Sequence, residues 1–403
     1  MASNRFTKSE WNKINELMKT SSKDFGLPER HSKSVVIGTF NIRELGKIRN
    51  RSSQAWDFLI EISKSFDLLA IQEVADSLEG INHIKKGLGE DYGMAVSDVT
   101  GVFPGDLGNP ERLAFLFNWT RIQRTELASD ITYDRSKVIQ TLFENRWKFN
   151  EAWENQIKKL GAWQEKVQQA KSGGKTKPSK PVIELPMFLT FIRQPHCVSF
   201  RIPGKNGADP IEFLTVNAHL LYGENEEERL YEFNALIDWL TLRAKQDPNT
   251  YHPNLLLMGD CNLEFEDINI KRKDIDEHLK ELNETTLKSK KAAKVNFPFL
   301  TKHPTHGEIK TNARQDQTYD QIAIFAHDSR LPDYKANAIA GKSGDDGYDY
   351  GVFSFIDIVS KAIYGKKFKQ LNDSNKENII YNKVKKEISD HMPGWIRLPI
   401  PGA

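Results

Sequence analysis

Apolar residues along this chain gather into short runs bounded by Gly, Asp or Asn, separated by helical patterns and long polar stretches. Val35–Phe40, Leu68–Gln72, Met94–Val99, Leu113–Phe117, Val198–Arg201, Ile211–Asn217, Leu255–Gly259, Gln321–Phe325 and Pro393–Leu398 are such runs, and their length and composition predict strands of a covered sheet. Helical spacing appears over Thr7–Thr20, Ser52–Phe66 and Glu226–Ala244. In the second, Trp56, Leu59 and Ile62 recur behind a Ser cap; in the third, Leu230, Phe233, Ile237 and Leu240 do the same. A further helical pattern (Trp153, Ile157, Leu160, Val167) is followed by KSGGKTKPSKP, which reads as a flexible basic linker. No repeat of solenoid period is present. Strand signals resume after every polar stretch, so residues 1–34 are read as an N-terminal helical extension. Residues 35–403 are read as one domain with insertions near 130–180, 266–315 and 330–387, of which residues 266–294 read as helical and of mixed charge.

Composition narrows the class. The 403 residues are 10% aromatic and include 8 Trp, which argues against wholesale disorder. Lys and Arg number 57 against 55 Asp and Glu, a net charge of +2, so the whole-chain charge implies no partner. The charge is segregated, however: residues 146–180 hold nine Lys or Arg against three Glu, and 361–387 eight Lys against three acids. Each stretch reads either as a solvated face or as a local polyanion-binding surface. No apolar run approaches the ~18 residues of a membrane span. The start lacks the apolar stretch of a signal peptide, and two cysteines make neither a disulfide framework nor a zinc site. A cytosolic protein without a membrane span is expected.

Candidate chemistry sits where the apolar runs end. VVIGTFNIRE places Asn41 at a strand end, DLLAIQEV places Glu73, and FLTVNAHLLYG places Asn217 and His219. NLLLMGDCNLEF places Asp260 and Asn262, TYDQIAIF places Asp320, and ISDHMPGW places Asp390 and His391. Strand ends gather groups from distant parts of a chain into one cleft. Several carboxylates and amides suit a hard cation such as magnesium, and two imidazoles remain for proton transfer; phosphoryl chemistry needs both.

The series FNIRE, IQEV, NAHL, GDCN, YDQIAI and SDH resembles the endonuclease/exonuclease/phosphatase superfamily, the fold of deoxyribonuclease I and exonuclease III, in family order from Phe40 to the last strand. The resemblance implies a four-layer α/β/β/α sandwich and metal-dependent attack of water on a phosphate ester. It makes Asn41, Glu73 and Asp390 the metal ligands, with Mg2+ the expected ion and Mn2+ able to substitute. It makes Asp260 and Asn262 the pair that positions water and phosphate, His391 the base, Asp320 the carboxylate orienting it, and His219 the group that protonates the leaving oxygen. Arg112 and Asn217 are candidate substrate contacts, although Arg112 also reads as a surface arginine opening a strand. Cys261, where the family usually has a bulky residue, has acidic neighbours and reads as packing. His303 and His306 read as a polar loop, and GDDGYDYG at 344–351 as a turn.

The substrate is less defined. His219 disfavours the abasic-site branch, and Thr318-Tyr319-Asp320 departs from the inositol-phosphatase signature. A magnesium-dependent nuclease is expected, with DNA ahead of RNA. A phosphatase or phosphodiesterase acting on a small phosphate ester (phosphoinositide, nucleotide or phosphotyrosyl adduct) is the alternative, and a catalytically silent scaffold the reading from another class.

Overall fold

The computed structural model describes residues 5–101, 110–132, 135–174, 176–181, 185–223, 225–244, 252, 254–263, 293–344 and 346–403. Most of the charged stretch at 266–294, and Lys175 in the basic linker, lie outside the described residues. The strands, in chain order, are β1 (Ser34–Leu45), β2 (Leu68–Ala75), β3 (Tyr92–Val96), β4 (Glu111–Asn118), β5 (Gln123–Asp130), β6 (His196–Ile202), β7 (Ile211–His219), β8 (Leu255–Asp260), β9 (Lys294–Asn296), β10 (Asp320–Ala326), β11 (Asp349–Val352) and β12 (Gly394–Pro399). The principal helices are α1 (Lys8–Ser21), α2 (Ser53–Ser63), α3 (Glu79–Leu88), α4 (Arg135–Glu144), α5 (Arg146–Ser172), α6 (Glu226–Arg243) and α7 (Phe355–Tyr364).

Two six-stranded sheets form, in the orders β11-β12-β1-β2-β4-β3 and β5-β6-β7-β8-β10-β9. Each holds one parallel pair, β1 with β2 and β7 with β8, and is otherwise antiparallel. Strand parity builds the layers. On β8, Leu256 and Met258 face the other sheet while Leu255 and Leu257 face outward; on β10, Ile322 and Ile324 face in while Ala323 and Phe325 face out. The outward set packs under α6 through Phe233, Leu236, Ile237 and Leu240. Outside the first sheet, Val36, Leu69 and Ile71 belong to one core with Trp11 and Ile14 of α1, Trp56 and Leu59 of α2, and Ile356 and Val359 of α7. Three apolar layers thus separate four structural ones, the expected α/β/β/α sandwich. Each fully buried Leu, Ile or Phe adds roughly 1.5–3 kcal/mol. Among the described residues no helix is long and apolar enough to cross a membrane.

The nine expected strands are all present, and three more appear: β5, β9 and β11. All three are edge strands. An edge strand pairs on one side only and buries less, so it needs no apolar run; β5 alternates half-buried and exposed along QRTELASD. The last three residues of the expected turn at 344–351 belong to β11. Helix α5 differs from its expected apolar face. Leu160 and Val167 are half-buried, but Trp153 is 59% exposed and Ile157 54%. The N-terminal helix, capped by a reciprocal Thr7–Glu10 box, buries Trp11 against Phe58 of α2.

A polar link crosses the apolar layer between the sheets. Thr39 and Gln72 exchange hydrogen bonds, Gln72 Nε2 donates to Asn217 Oδ1 at 2.7 Å, and Asn217 Nδ2 donates to the carbonyls of Ala114 and Ile71 at 2.9 and 3.2 Å. All three side chains are buried. Asn217→Ala would leave a buried amide and two carbonyls short of partners. The expected loss is about 2–3 kcal/mol of unfolding free energy, read from denaturant titration.

Candidate active site

The open end of the layer between the sheets is a cleft of ≈ 450 Å3, lined among others by Glu73, Glu111, Arg193, His219, Asp260, Asn262, Asp390 and His391. Register explains why so many functional groups meet there. His219 pairs with Asp260 across the parallel β7·β8 ladder, and Asp260 pairs with Asp320 across β8·β10. Three neighbouring strand ends therefore present an imidazole and two carboxylates in one row on one face. Gly259 makes the approach feasible: its φ is +139°, and a Cβ there would stand 1.9 Å from the carbonyl oxygen of Ala218.

Asp260 is the centre. Its Oδ1 accepts from the Asn262 N–H at 2.9 Å; its Oδ2 accepts from Asn41 Nδ2 at 3.0 Å and faces Nε2 of His391 and of His219 at 3.6 and 3.8 Å. Burial opposes its ionisation, but the two imidazoles and these donors outweigh it and hold the carboxyl below its ordinary range. Each imidazole is backed by a second acid. His391 Nδ1 lies 2.8 Å from Asp320 Oδ2, and His219 Nδ1 lies 3.0 Å from Glu111 Oε2. Burial works against the imidazolium of His391, yet Asp320 and Asp260 overcome it and raise its pKa well above the ordinary value. Burial also opposes the Glu111 anion, which His219 and Arg193 more than offset, so its pKa is lowered. Arg193 Nε stands 2.6 Å from Glu111.

The oxygen donors lie alongside. Asn41 ends the parallel register with β2, opposite Gln72, and Glu73 is one residue beyond. The ladder then shifts on both sides of β2, and Glu73 takes φ +59° with its Oε2 accepting from the Glu44 N–H at 2.8 Å. Buried Ser389 ties this end of β1 to the segment before β12. It donates to the Asn41 carbonyl at 2.7 Å and accepts from the N–H groups of Arg43 and His391 at 3.1 and 3.2 Å. Asp390 faces the cleft with Lys385 Nζ at 3.1 Å and Arg43 Nε at 3.8 Å. Asn41 Oδ1 is buried without a hydrogen-bond partner. This unpartnered acceptor and the Glu73 and Asp390 carboxylates on the cleft wall are oxygen donors of the kind a hard divalent cation takes. Ligand atoms of Asp260, Asp320 and His391 also lie within 4.8 Å of one another; there the 2.8 Å contact between Asp320 and His391 already engages two of them.

Two candidate substrate contacts lie elsewhere. Asn217 is spent on the link between sheets described above, two residues deeper along β7 than His219. Arg112 bonds to Asp76 at 2.8 Å and to the Ser97 carbonyl at 2.9 Å, and is not among the side chains lining the cleft. Glu111 and Arg193, which the sequence analysis does not name, also line the cleft. Both are charged residues next to apolar strands, ERLAFLFN and FIRQPHCVSF, the same signal that marked the others. Cys261 is fully buried among apolar side chains, where burial and nearby carboxylates push its thiol well up. His303 is buried, with Nε2 2.9 Å from Asp349 Oδ1 and Nδ1 accepting from the His306 N–H at 3.0 Å, so both ring nitrogens are engaged.

No family model matches the chain, and no curated protein matches it. Solved structures are similar to it at low identity. An endonuclease/exonuclease/phosphatase family protein from Bacteroides thetaiotaomicron is 12% identical, with 91% of this chain and 98% of that one covered and a TM-score of 0.44. A truncated TDP2 from Caenorhabditis elegans is 12% identical, with 91% and 97% covered and a TM-score of 0.45. The human Nocturnin catalytic domain with bound sulfate is 13% identical, with 74% and 84% covered and a TM-score of 0.41.

The geometry sets a pH expectation. A raised folded-state pKa means that the His391 contribution to stability is present below the unfolded value, about 6.5, and is lost as pH rises through the folded one. NMR titration of the ring nitrogens should show His391 protonated above pH 6.5, and Asp320→Asn should move the transition down.

Proposed function

We propose that this chain is a member of the endonuclease/exonuclease/phosphatase superfamily and a divalent-metal-dependent phosphoesterase, with nucleic acid, DNA before RNA, as its substrate. One observation carries the reading: a buried carboxylate, Asp260, lies between two imidazoles, each held by a second buried acid, in a cleft with further oxygen donors. A scaffold has no physical need for so many like charges in one cleft. Asn41, Glu73 and Asp390 would hold the cation, with Mg2+ suited to the donor set and Mn2+ able to substitute. When bound, the ion supplies positive charge against the phosphate oxygens.

The protein groups divide the remaining work. Asp260, held ionised, accepts a proton from water placed beside it and Asn262. His391, held protonated by Asp320, donates to a phosphate oxygen, in place of the base role that the resemblance implies. The water oxygen bonds to phosphorus, the ester P–O bond breaks, and His219, oriented by Glu111, protonates the leaving oxygen. Arg193 completes the charge around Glu111 and His219. Replacing either histidine by alanine is expected to lower turnover roughly 10²–10⁴-fold. Glu73→Gln should remove most activity, and excess chelator should abolish it until Mg2+ or Mn2+ is restored. Steady-state hydrolysis of plasmid, single-stranded RNA and a bis-aryl phosphodiester, each with and without chelator, tests all of this. Hydrolysis undiminished by chelator would exclude the metal-dependent reading. Cleavage of the aryl diester alone would favour the small-ester reading, which the modest size of the cleft supports.

The polymer reading draws on the insertion at 130–180. Helices α4 and α5 expose Phe143, Trp147 and Trp153, with Arg146 5.3 Å from the Phe143 ring centre and Lys148 5.3 Å from that of Trp147. Flat rings beside cations suit stacked bases and phosphates. Neutralising Lys171, Lys177 and Lys180 together should weaken polymer binding and flatten its salt dependence, while cleavage of the aryl diester stays unchanged. Fluorescence anisotropy across a salt series measures the first two effects.

A further inference from the structure

Helix α6 carries two buried charged side chains that the chemistry above does not use, Arg229 and Glu232, one helical turn apart on one face. Arg229 Nη1 donates to the Asn262 carbonyl at 2.8 Å. Glu232 accepts twice: its Oε1 takes the Ile192 N–H at 2.6 Å, and its Oε2 takes the Leu221 N–H. Ile192 immediately precedes Arg193, and Leu221 lies two residues beyond His219. The same segments are joined to each other. Arg193 Nη1 donates to the carbonyls of Leu220 and His219 at 3.2 and 3.4 Å, and Asn262 Nδ2 donates to the Leu220 carbonyl at 2.9 Å. Arg193, His219 and Asn262 line the cleft, and Glu232 stands behind them.

Only an ionised carboxylate suits that place. Two N–H groups approaching one side chain need two acceptor oxygens, which a carboxylate offers. A carboxylic acid offers one carbonyl oxygen and one hydroxyl, whose proton needs an acceptor that neither N–H supplies. Gain of a proton therefore costs one of the two ties. The titratable and charged groups that act on Glu232 are Arg193 before β6, His219 at the end of β7 and Cys261 beyond β8, besides Glu228 and Arg229 on α6 itself. Burial pushes the Glu232 carboxyl up to about 7, against the downward pull of the Leu221 and Ile192 N–H groups, Arg193 and His219. The Cys261 thiol, itself pushed well up by burial, is neutral there.

We propose that Glu232 is a positioning residue that holds His219 and Arg193 against Glu111, and that a proton on its carboxylate slackens this hold and lowers turnover. The effect on turnover rests on the phosphoesterase reading above; the hold itself is a property of the fold. Control of this kind acts on the leaving-group side of the site, through the backbone, and not through the pair of Asp260 and His391. A small displacement of a proton donor costs more in the reacting geometry than in ground-state binding, so kcat is affected more than KM.

The test uses the full chain and two readouts: hydrogen–deuterium exchange of peptides covering Ile192 and Leu221, and steady-state hydrolysis of the bis-aryl phosphodiester in saturating Mg2+. From pH 8 to pH 6, either side of about 7, the wild-type protection of both segments, corrected for intrinsic exchange, is expected to fall roughly tenfold, the order of one hydrogen bond to a charged group. Glu232→Gln keeps the shape but turns an amide NH2 toward one of the two donors. It should show the lower protection at both pH values, with kcat reduced roughly tenfold at pH 8, KM changed less, and the proton step near neutrality gone from its kcat profile. Should that variant misfold, the wild-type exchange decides alone: protection equal at the two pH values would overturn the proposal. A variant that cleaves the ester with the wild-type kcat, or one slowed equally at every pH with its proton step retained, would also overturn it and leave the phosphoesterase reading standing. The expected loss of protection in a protein that hydrolyses none of the three ester substrates would uphold Glu232 as the tie and overturn the phosphoesterase reading alone.

Discussion

The structure turns on one buried charge. Asp260 is 1% exposed, and an isolated carboxylate in such a place would cost several kcal/mol. What offsets that cost comes from both sheets: Asn41 from β1, the Asn262 N–H beyond β8, and the imidazoles of His219 and His391. Removing any one donor weakens the balance for the rest, so the groups gathered at the candidate site also keep the two sheets aligned at this end. The apolar layer supplies most of the stability but is tolerant of small slips. The Asn41–Asp260 bond, at 3.0 Å between sheets, is not.

Much of this was legible in the sequence, for a physical reason. A strand in a covered sheet must be apolar until it leaves the core, so the first polar residue after the run marks the opening of a cleft. That logic marks Asn41, Glu73, His219 and Asp260, and its mirror image, the last polar residues before a run, marks Asp320 and the Asp390–His391 pair, all of which the fold brings together. It cannot tell how deep the opening extends. Asn217 and His219 share a face of β7, yet the first lies two residues inside and is consumed by hydrogen bonds between sheets. Nor does it rank charged residues at the start of a strand: Glu111, Arg112 and Arg193 carry the same signal, but only Glu111 and Arg193 line the cleft. The edge strands β5, β9 and β11 escaped because one-sided pairing demands little apolar surface.

Backbone conformation carries part of the load at the site. Glu44, Glu73 and Asn262 all take positive φ, an arrangement that costs a non-glycine residue of order 1 kcal/mol or more. Asn tolerates it best; a glutamate does so only under constraint. Here the constraint is visible: the Glu73 carboxylate accepts the Glu44 N–H, and the Arg51 guanidinium grips the carbonyls on either side of the Arg43–Glu44 bond. Burial lowers that guanidinium to about 10, still far above neutrality, so the grip persists across the working pH range.

The first sheet places β1 between β2 and β12, with Ser34 opposite Pro399 and Thr39 opposite Gly394. Closing that ladder joins segments more than 350 positions apart, among the slowest kinds of contact for a chain to find. During synthesis, β1 must wait with one apolar edge unpaired while all the residues between it and β12 are made. Asp390 and His391 immediately precede β12, so the last strand to dock delivers the last functional groups. The candidate site therefore stays unassembled until β12 docks, and the long wait with an open strand edge is the interval in which a chaperone has most to protect.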